Sequence, residues 1–162
     1  MPEVKAASDG AVEVSLDHQE ADLMRSLTEE IGTLFDAGAP RSDPVVERLF
    51  PDAYESRKEA RAYRDLVGDD LRAAKKEALG TVENKLGRSG EASLSIAPSE
   101  VDAWLTVLTD LRLAIGTRLA VTEATMEEEP DPEDPDGAAK TVLHWLGWLQ
   151  EMTLAELTKE EE

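Results

Sequence analysis

The run WLTVLTDLRLAIGTRLAV, residues 104–121, is the most helix-like stretch of the chain and carries two arginines among its leucines. Drawn as a helix at about 100° per residue from Trp104, its Leu105, Leu108, Leu111, Ile115 and Leu119 share an arc from about −20° to about 100°. That arc is the apolar stripe of a core-facing helix, so the rest of the fold has to cover it. Arg112 falls at about 80°, inside the stripe, and Arg118 lies at its edge. A guanidinium on an apolar face requires a partner, because an unpaired charge resists removal from water.

The remaining elements follow from local start and stop signals. Residues 1–10 read as a loose tail and 11–160 as a single helical domain. In AVEVSL, Val12, Val14 and Leu16 alternate with polar neighbours at the period of a short strand, and ASLSIAP repeats the pattern with Leu94 and Ile96. These two segments are expected to pair as a two-stranded β ribbon, since an isolated strand leaves its backbone groups unsatisfied. Asp17 with Glu20 forms a capping box for a helix over 18–37, in which Leu23, Leu27, Ile31 and Leu34 recur until DAGAPRSDP stops it. Asp43 before Pro44 caps a short helix that Pro51 ends. Ser56 and Glu59 open a long helix to about residue 87, with Gly68 as a point of bending, and Ser99 with Asp102 starts the helix that contains 104–121. A last helix, about 137–158, aligns Val142, Trp145, Leu146, Leu149, Met152 and Leu157. The expected fold is all-α: a bundle of four main helices plus one short helix, with a minor two-stranded ribbon.

A chain of 162 residues is long enough for one domain with a real core. Its formal charge of −19 opposes nucleic acid and anionic membranes at long range. Much of that charge sits in EATMEEEPDPEDPDG, residues 123–137, whose eight carboxylates and three prolines mark a solvated acidic loop. Its acids lack the spacing of a calcium loop. The locally basic stretch is 55–90, where nine Lys or Arg face seven acids. Cysteine is absent, which excludes disulfides, thiolate zinc sites and thiol nucleophiles. The N-terminus lacks the basic start and apolar core of a signal peptide, and no apolar run approaches the length of about 18 residues needed to span a membrane. A cytoplasmic protein is expected.

Asp70 falls at about −20° from Tyr63, between Leu66 and Val67 on the apolar stripe of the long helix. Asp70 and Arg112 are therefore expected to form a structural ion pair between two packed helices, the planar guanidinium fork suiting a carboxylate. Arg118 is the better candidate for a partner contact, with Arg61 and Arg64 from a basic face that also holds Arg57, Lys58 and Lys75. Trp145 lies in the stripe of the last helix, whereas Trp148 points off it and is either covered or an interface anchor. His18 and His144 lie away from the apolar stripes without a second ligand at useful spacing, and read as surface residues. With no nucleophile elbow, phosphate-cradling glycine loop, zinc or kinase pattern, no catalytic residue, metal ligand or cofactor is assigned.

LFPDAYESRKEARAYRDLVGDDLRAAKKE, WLTVLTDLRLAIGTRLAVTE and HWLGWLQE together resemble an actinobacterial family long filed as a domain of unknown function. Members are often encoded near the Clp adaptor ClpS and are commonly named after the oxidative-stress regulator AosR. The likeness covers about residues 45–152, and DLRLAIGTRL is its most specific block. It implies a transcriptional regulator of the stress response that associates with a sigma factor. Redox sensing in the family has been attributed to cysteines, so that mechanism does not carry over to this cysteine-free chain. The expected function is a non-enzymatic regulatory protein acting by association with a sigma factor or RNA polymerase. The alternatives are a DNA-binding regulator using the basic long helix, and an enzyme or ligand-binding domain with a site around Arg112. A homodimer is compatible with each.

Overall fold

Period-two alternation builds the sheet. Strand β2 (Val12–Leu16) and strand β3 (Ala92–Ile96) pair antiparallel, with Val14 opposite Leu94 and Val12 opposite Ile96, so the apolar residues of both strands share one buried face. The computed structural model, which describes residues 2–7, 9–35, 43–50, 69–119 and 136–159, corrects the expected ribbon in one respect. A third strand, β1 (Glu3–Ala6), pairs antiparallel on the other side of β2, so residues 1–10 are not simply a tail. Asp9-Gly10 makes the connection possible. Gly10 takes a φ of 86°, the Ala11 N–H donates to Asp9 Oδ1 at 3.1 Å, and the Ala7 N–H donates to the Ala11 carbonyl at 2.8 Å. An Asp-Gly pair is a strong hairpin signal, outweighed in the sequence by the weak alternation of EVKA, where Val4 is the one large apolar side chain.

Among the described residues, five helices complete the fold: α1 (His18–Leu34), α2 (Pro44–Leu49), α3 (Asp69–Leu86), α4 (Val101–Leu119) and α5 (Gly137–Lys159). The α1 capping box forms as expected, the Glu20 N–H donating to Asp17 Oδ1 and the Asp17 N–H to Glu20 Oε1. The Asp43 carboxylate likewise accepts the Val45 N–H at the start of α2. The expected start of α4 is corrected. Ser99 is not the cap; a 3-10 turn at Pro98–Glu100 leads into the helix, and Glu100 Oε1 accepts the Ala97 N–H at 3.0 Å. The start of the long helix near Ser56, with Gly68, lies outside the described residues, as does the acidic stretch up to residue 135. Among the described residues, no helix is long and apolar enough to cross a membrane.

Helix α4 is the centre of the bundle and packs against α1, α2, α3 and α5. Its buried face is consequently wider than the stripe drawn from its leucines: Trp104, Val107, Leu108 and Leu111 are all buried, and so is Asp110 at 5% exposure. On α1 the buried face is rotated to Ala21, Met24, Thr28, Ile31 and Phe35, leaving Leu23, Leu27 and Leu34 half-buried at its flanks. Phe35 meets Phe50 edge-on at 6.0 Å between ring centroids, and the Arg72 guanidinium sits 5.2 Å from the Phe50 ring centre. The ends of α1 and α2 are thereby joined to α3.

Polar contacts fix how these helices register. Lys75 Nζ of α3 reaches both carboxylate oxygens of Asp110, at 2.8 and 3.0 Å. Trp104 Nε1 donates to Thr153 Oγ1 at 3.0 Å, and the Thr153 hydroxyl donates to the Leu149 carbonyl, so a fully buried polar pair on α4 and α5 is satisfied. Arg25 of α1 clamps the far end of α3. Its Nη2 donates to the carbonyls of Leu86 and Gly90 at 2.7 and 2.9 Å, its Nε to that of Gly87 at 3.2 Å, and its Nη1 to Asp22. Gly87 and Gly90 both have positive φ, so the chain turns through Arg25's donors before entering β3.

Arg25→Met strips a charged donor from three carbonyls and should destabilise the protein by about 2–3 kcal/mol, read as a lower urea midpoint at unchanged slope. Lys75→Met leaves the Asp110 carboxylate buried without its cation and should cost about 3–5 kcal/mol near neutral pH. Burial holds the Asp110 carboxyl above the usual aspartate range, against the lowering effect of the Lys75 hydrogen bond and charge. The folded state therefore keeps the proton more readily than the unfolded chain. The stability of the native protein relative to Asp110→Asn should then fall as pH rises through about 3.9, the unfolded value, to the folded pKa, and urea unfolding of both proteins across that window measures it.

Candidate functional site

Two of the three blocks that carry the family resemblance meet at Arg112. Helix α4 presents Arg112 to α5, where Gly147 has no side chain and the guanidinium lies against the helix; a Cβ at Gly147 would stand 3.5 Å from its carbon and from two of its nitrogens. Arg112 Nη1 donates to Gln150 Oε1 at 2.6 Å. Gln150 is itself oriented, its Nε2 donating to Thr109 Oγ1 at 2.6 Å and to the Leu105 carbonyl at 3.4 Å. Arg112 Nε is buried and has no hydrogen-bond partner among the described residues. The side chain of Asp70, and with it the expected Asp70–Arg112 pair, lies outside the described residues. The described ion pair between α3 and α4 is instead Lys75–Asp110, which the sequence reading missed because Asp110 sits well off the leucine stripe.

Arg118 is exposed, as a partner-binding residue should be, but it is also engaged: Nη2 donates to Asp43 Oδ2 at 3.1 Å. Asp43 thus caps α2 and holds the last turn of α4 to it. The Val45 N–H first, and then Arg118, keep its carboxyl below the ordinary carboxylate range. Arg57, Lys58, Arg61 and Arg64 lie outside the described residues. Lys75 does not belong to a free basic face, since Asp110 takes its charge. Trp148 is half-buried and packs against the core, like Trp145. His18 is exposed beside Asp22, whereas His144 is half-buried rather than a surface residue.

A concave surface lies between α1 and α4. A groove of about 760 Å³ is floored by Leu27, Ile31 and Leu34 of α1 and by Leu111, Ala114 and Ile115 of α4. Leu27, Leu34, Ala114 and Ile115 are only half-buried, so the floor presents apolar surface to solvent. Glu29 and Glu30 stand on the α1 rim, and Arg118 and Ala139 close one end. The rotation of α1 described above makes this groove: Met24 and Thr28 turn into the core, and Leu27 and Leu34 of the expected stripe are left on its edge.

The seat of Arg112 yields a size test at Gly147. An alanine Cβ there makes ordinary contact with the guanidinium, so Gly147→Ala should be neutral or stabilising by up to about 1 kcal/mol through helix propensity. Gly147→Leu should displace Arg112 from Gln150 and cost about 1–3 kcal/mol, and urea unfolding of the two variants separates these signs.

Proteins called oxidative stress regulator AosR in Mycobacterium bovis and Mycobacterium tuberculosis are 30% identical to this chain, over 88% of its length and 71% of theirs. No solved structure matches it. The family model described as a domain of unknown function, DUF2017, matches residues 1–157, and the chain belongs to that family.

Proposed function

We propose that this chain is a non-enzymatic regulatory protein of the oxidative-stress response, acting by association with a sigma factor or RNA polymerase. The observation that carries the reading is its relation to proteins named oxidative stress regulator over most of both chains. The shape supports association. A half-open apolar groove framed by two helices suits a protein segment, and an exposed apolar concavity on a highly charged chain is a common mark of an interface.

Direct DNA binding is the weaker reading. The chain carries −19, and three of the described cations, Lys75, Lys85 and Arg118, are matched to Asp110, Glu100 and Asp43. The reading of a ligand site at Arg112 loses ground for a related reason, since that guanidinium is applied to Gly147 and Gln150 and does not line the α1/α4 groove. A cytoplasmic location goes with the proposed role.

Affinity capture of partners from a lysate of the source cell, with and without nuclease, tests the proposal. A sigma factor or RNA polymerase subunit should be retained after nuclease treatment and through moderate salt. Recovery of transcription proteins only without nuclease would make DNA the bridge and overturn the association reading; that outcome should be accompanied by a steep loss of DNA affinity with salt.

A further inference from the structure

We propose that the groove between α1 and α4 is the docking site for a basic amphipathic helix of a protein partner, about two to three turns long. The inference rests on the association reading above and names the kind of segment that would be bound. Its length comes from the floor. Leu27 to Leu34 on one wall is a rise of seven residue steps, about 10 Å of helix, and Leu111 to Arg118 on the other rises the same.

The secondary structure of the occupant follows from what the groove lacks. Both walls are α-helices whose backbone groups are already bonded within the helix, so no open strand edge is available to an extended peptide. A helical segment satisfies its own backbone and can set apolar side chains at i, i+3, i+4 and i+7 between the two ridges, as a third helix would. The small side chain of Ala114, between Leu111 and Ile115, leaves the floor lower at its middle.

Its charge follows from the rim. Glu29 and Glu30 are exposed and carry no ion pair among the described residues, while Asp43 already neutralises Arg118, the cation among the described lining residues. Among those residues the rim is therefore net negative, on a chain of −19. An approaching basic segment is attracted over several ångströms and an acidic one is repelled.

A fluorescein-labelled Leu/Lys peptide of about fourteen residues, with leucines at i, i+3, i+4 and i+7, is the probe, titrated with the full chain by anisotropy. Micromolar binding is expected. Ala114→Arg, which raises the floor, and the surface pair Glu29→Lys with Glu30→Lys, which does not touch the core, should each weaken it by about tenfold or more. Glu13→Lys, on the solvent face of the sheet, should leave affinity within about twofold, and a Leu/Glu peptide of the same pattern should not bind. Equal affinity for Ala114→Arg and the native chain, or equal loss from Glu13→Lys, would overturn the site, and tight binding of the Leu/Glu peptide would overturn its charge preference. A dimer of the native chain in light scattering that Ala114→Arg dissolves would assign the groove to a second copy instead. The transcription protein captured by the native chain separates this inference from the reading beneath it. If Ala114→Arg retains that protein undiminished, the groove assignment fails and the association reading stands; if the native chain retains none while the Leu/Lys peptide still binds the groove, the reverse holds.

Discussion

Helix α4 is enclosed by four other helices, and three of them are tied to it by directional polar contacts. Lys75 of α3 reaches Asp110, Thr153 and Gln150 of α5 reach Trp104 and Arg112, and Asp43 at the start of α2 reaches Arg118. Apolar packing alone tolerates sliding, because leucines exchange one hole for another at small cost. A carboxylate buried against an ammonium, or an indole N–H against a hydroxyl, has one satisfactory position. The polar residues scattered along DLRLAIGTRL therefore specify where the neighbours stop.

The fourth neighbour behaves differently. The helix α1 is positioned mainly by Arg25, which grips the end of α3 and the turn into β3, and by its own buried face against the core. Toward the last turns of α4 its contact is apolar and incomplete, and the groove opens there. The same bundle thus contains a tightly registered side, built from α2, α3 and α5, and an open side with half-exposed leucines. A surface offered to a partner belongs on the second, where an added helix completes packing that the chain leaves unfinished.

Much of the architecture was legible because its signals are local. The capping box at Asp17 and Glu20, the Asp43-Pro44 start and the alternation around Val14 and Leu94 each act within a few residues, and each formed as read. The first strand was missed because EVKA has little alternation of its own and is held by pairing with β2. The burial of Asp110 was missed for a different reason. A wheel ranks faces by their own hydrophobicity, but α4 is surrounded, so a polar position off the stripe was buried by a neighbour that brought a lysine with it. Of the candidate site residues, Arg112, Arg118 and Trp148 have a described place in the fold, yet the contacts that define them, with Gln150, with Asp43 and with the core, depend on chain segments far away in sequence.

The sequence by itself determined the helical bundle with its small sheet, the acidity and the absence of thiol chemistry, since composition and short-range periodicity suffice for these, and its likeness to known proteins determined the family. Tertiary structure alone decided the ion pair of Lys75 with Asp110, the seat of Arg112 on Gly147 and Gln150, and the groove between α1 and α4. Each of those joins residues on different helices, and which faces meet is set by the rotation of every helix about its axis. That rotation minimises buried polar and exposed apolar surface over the whole bundle at once, and no single segment contains it.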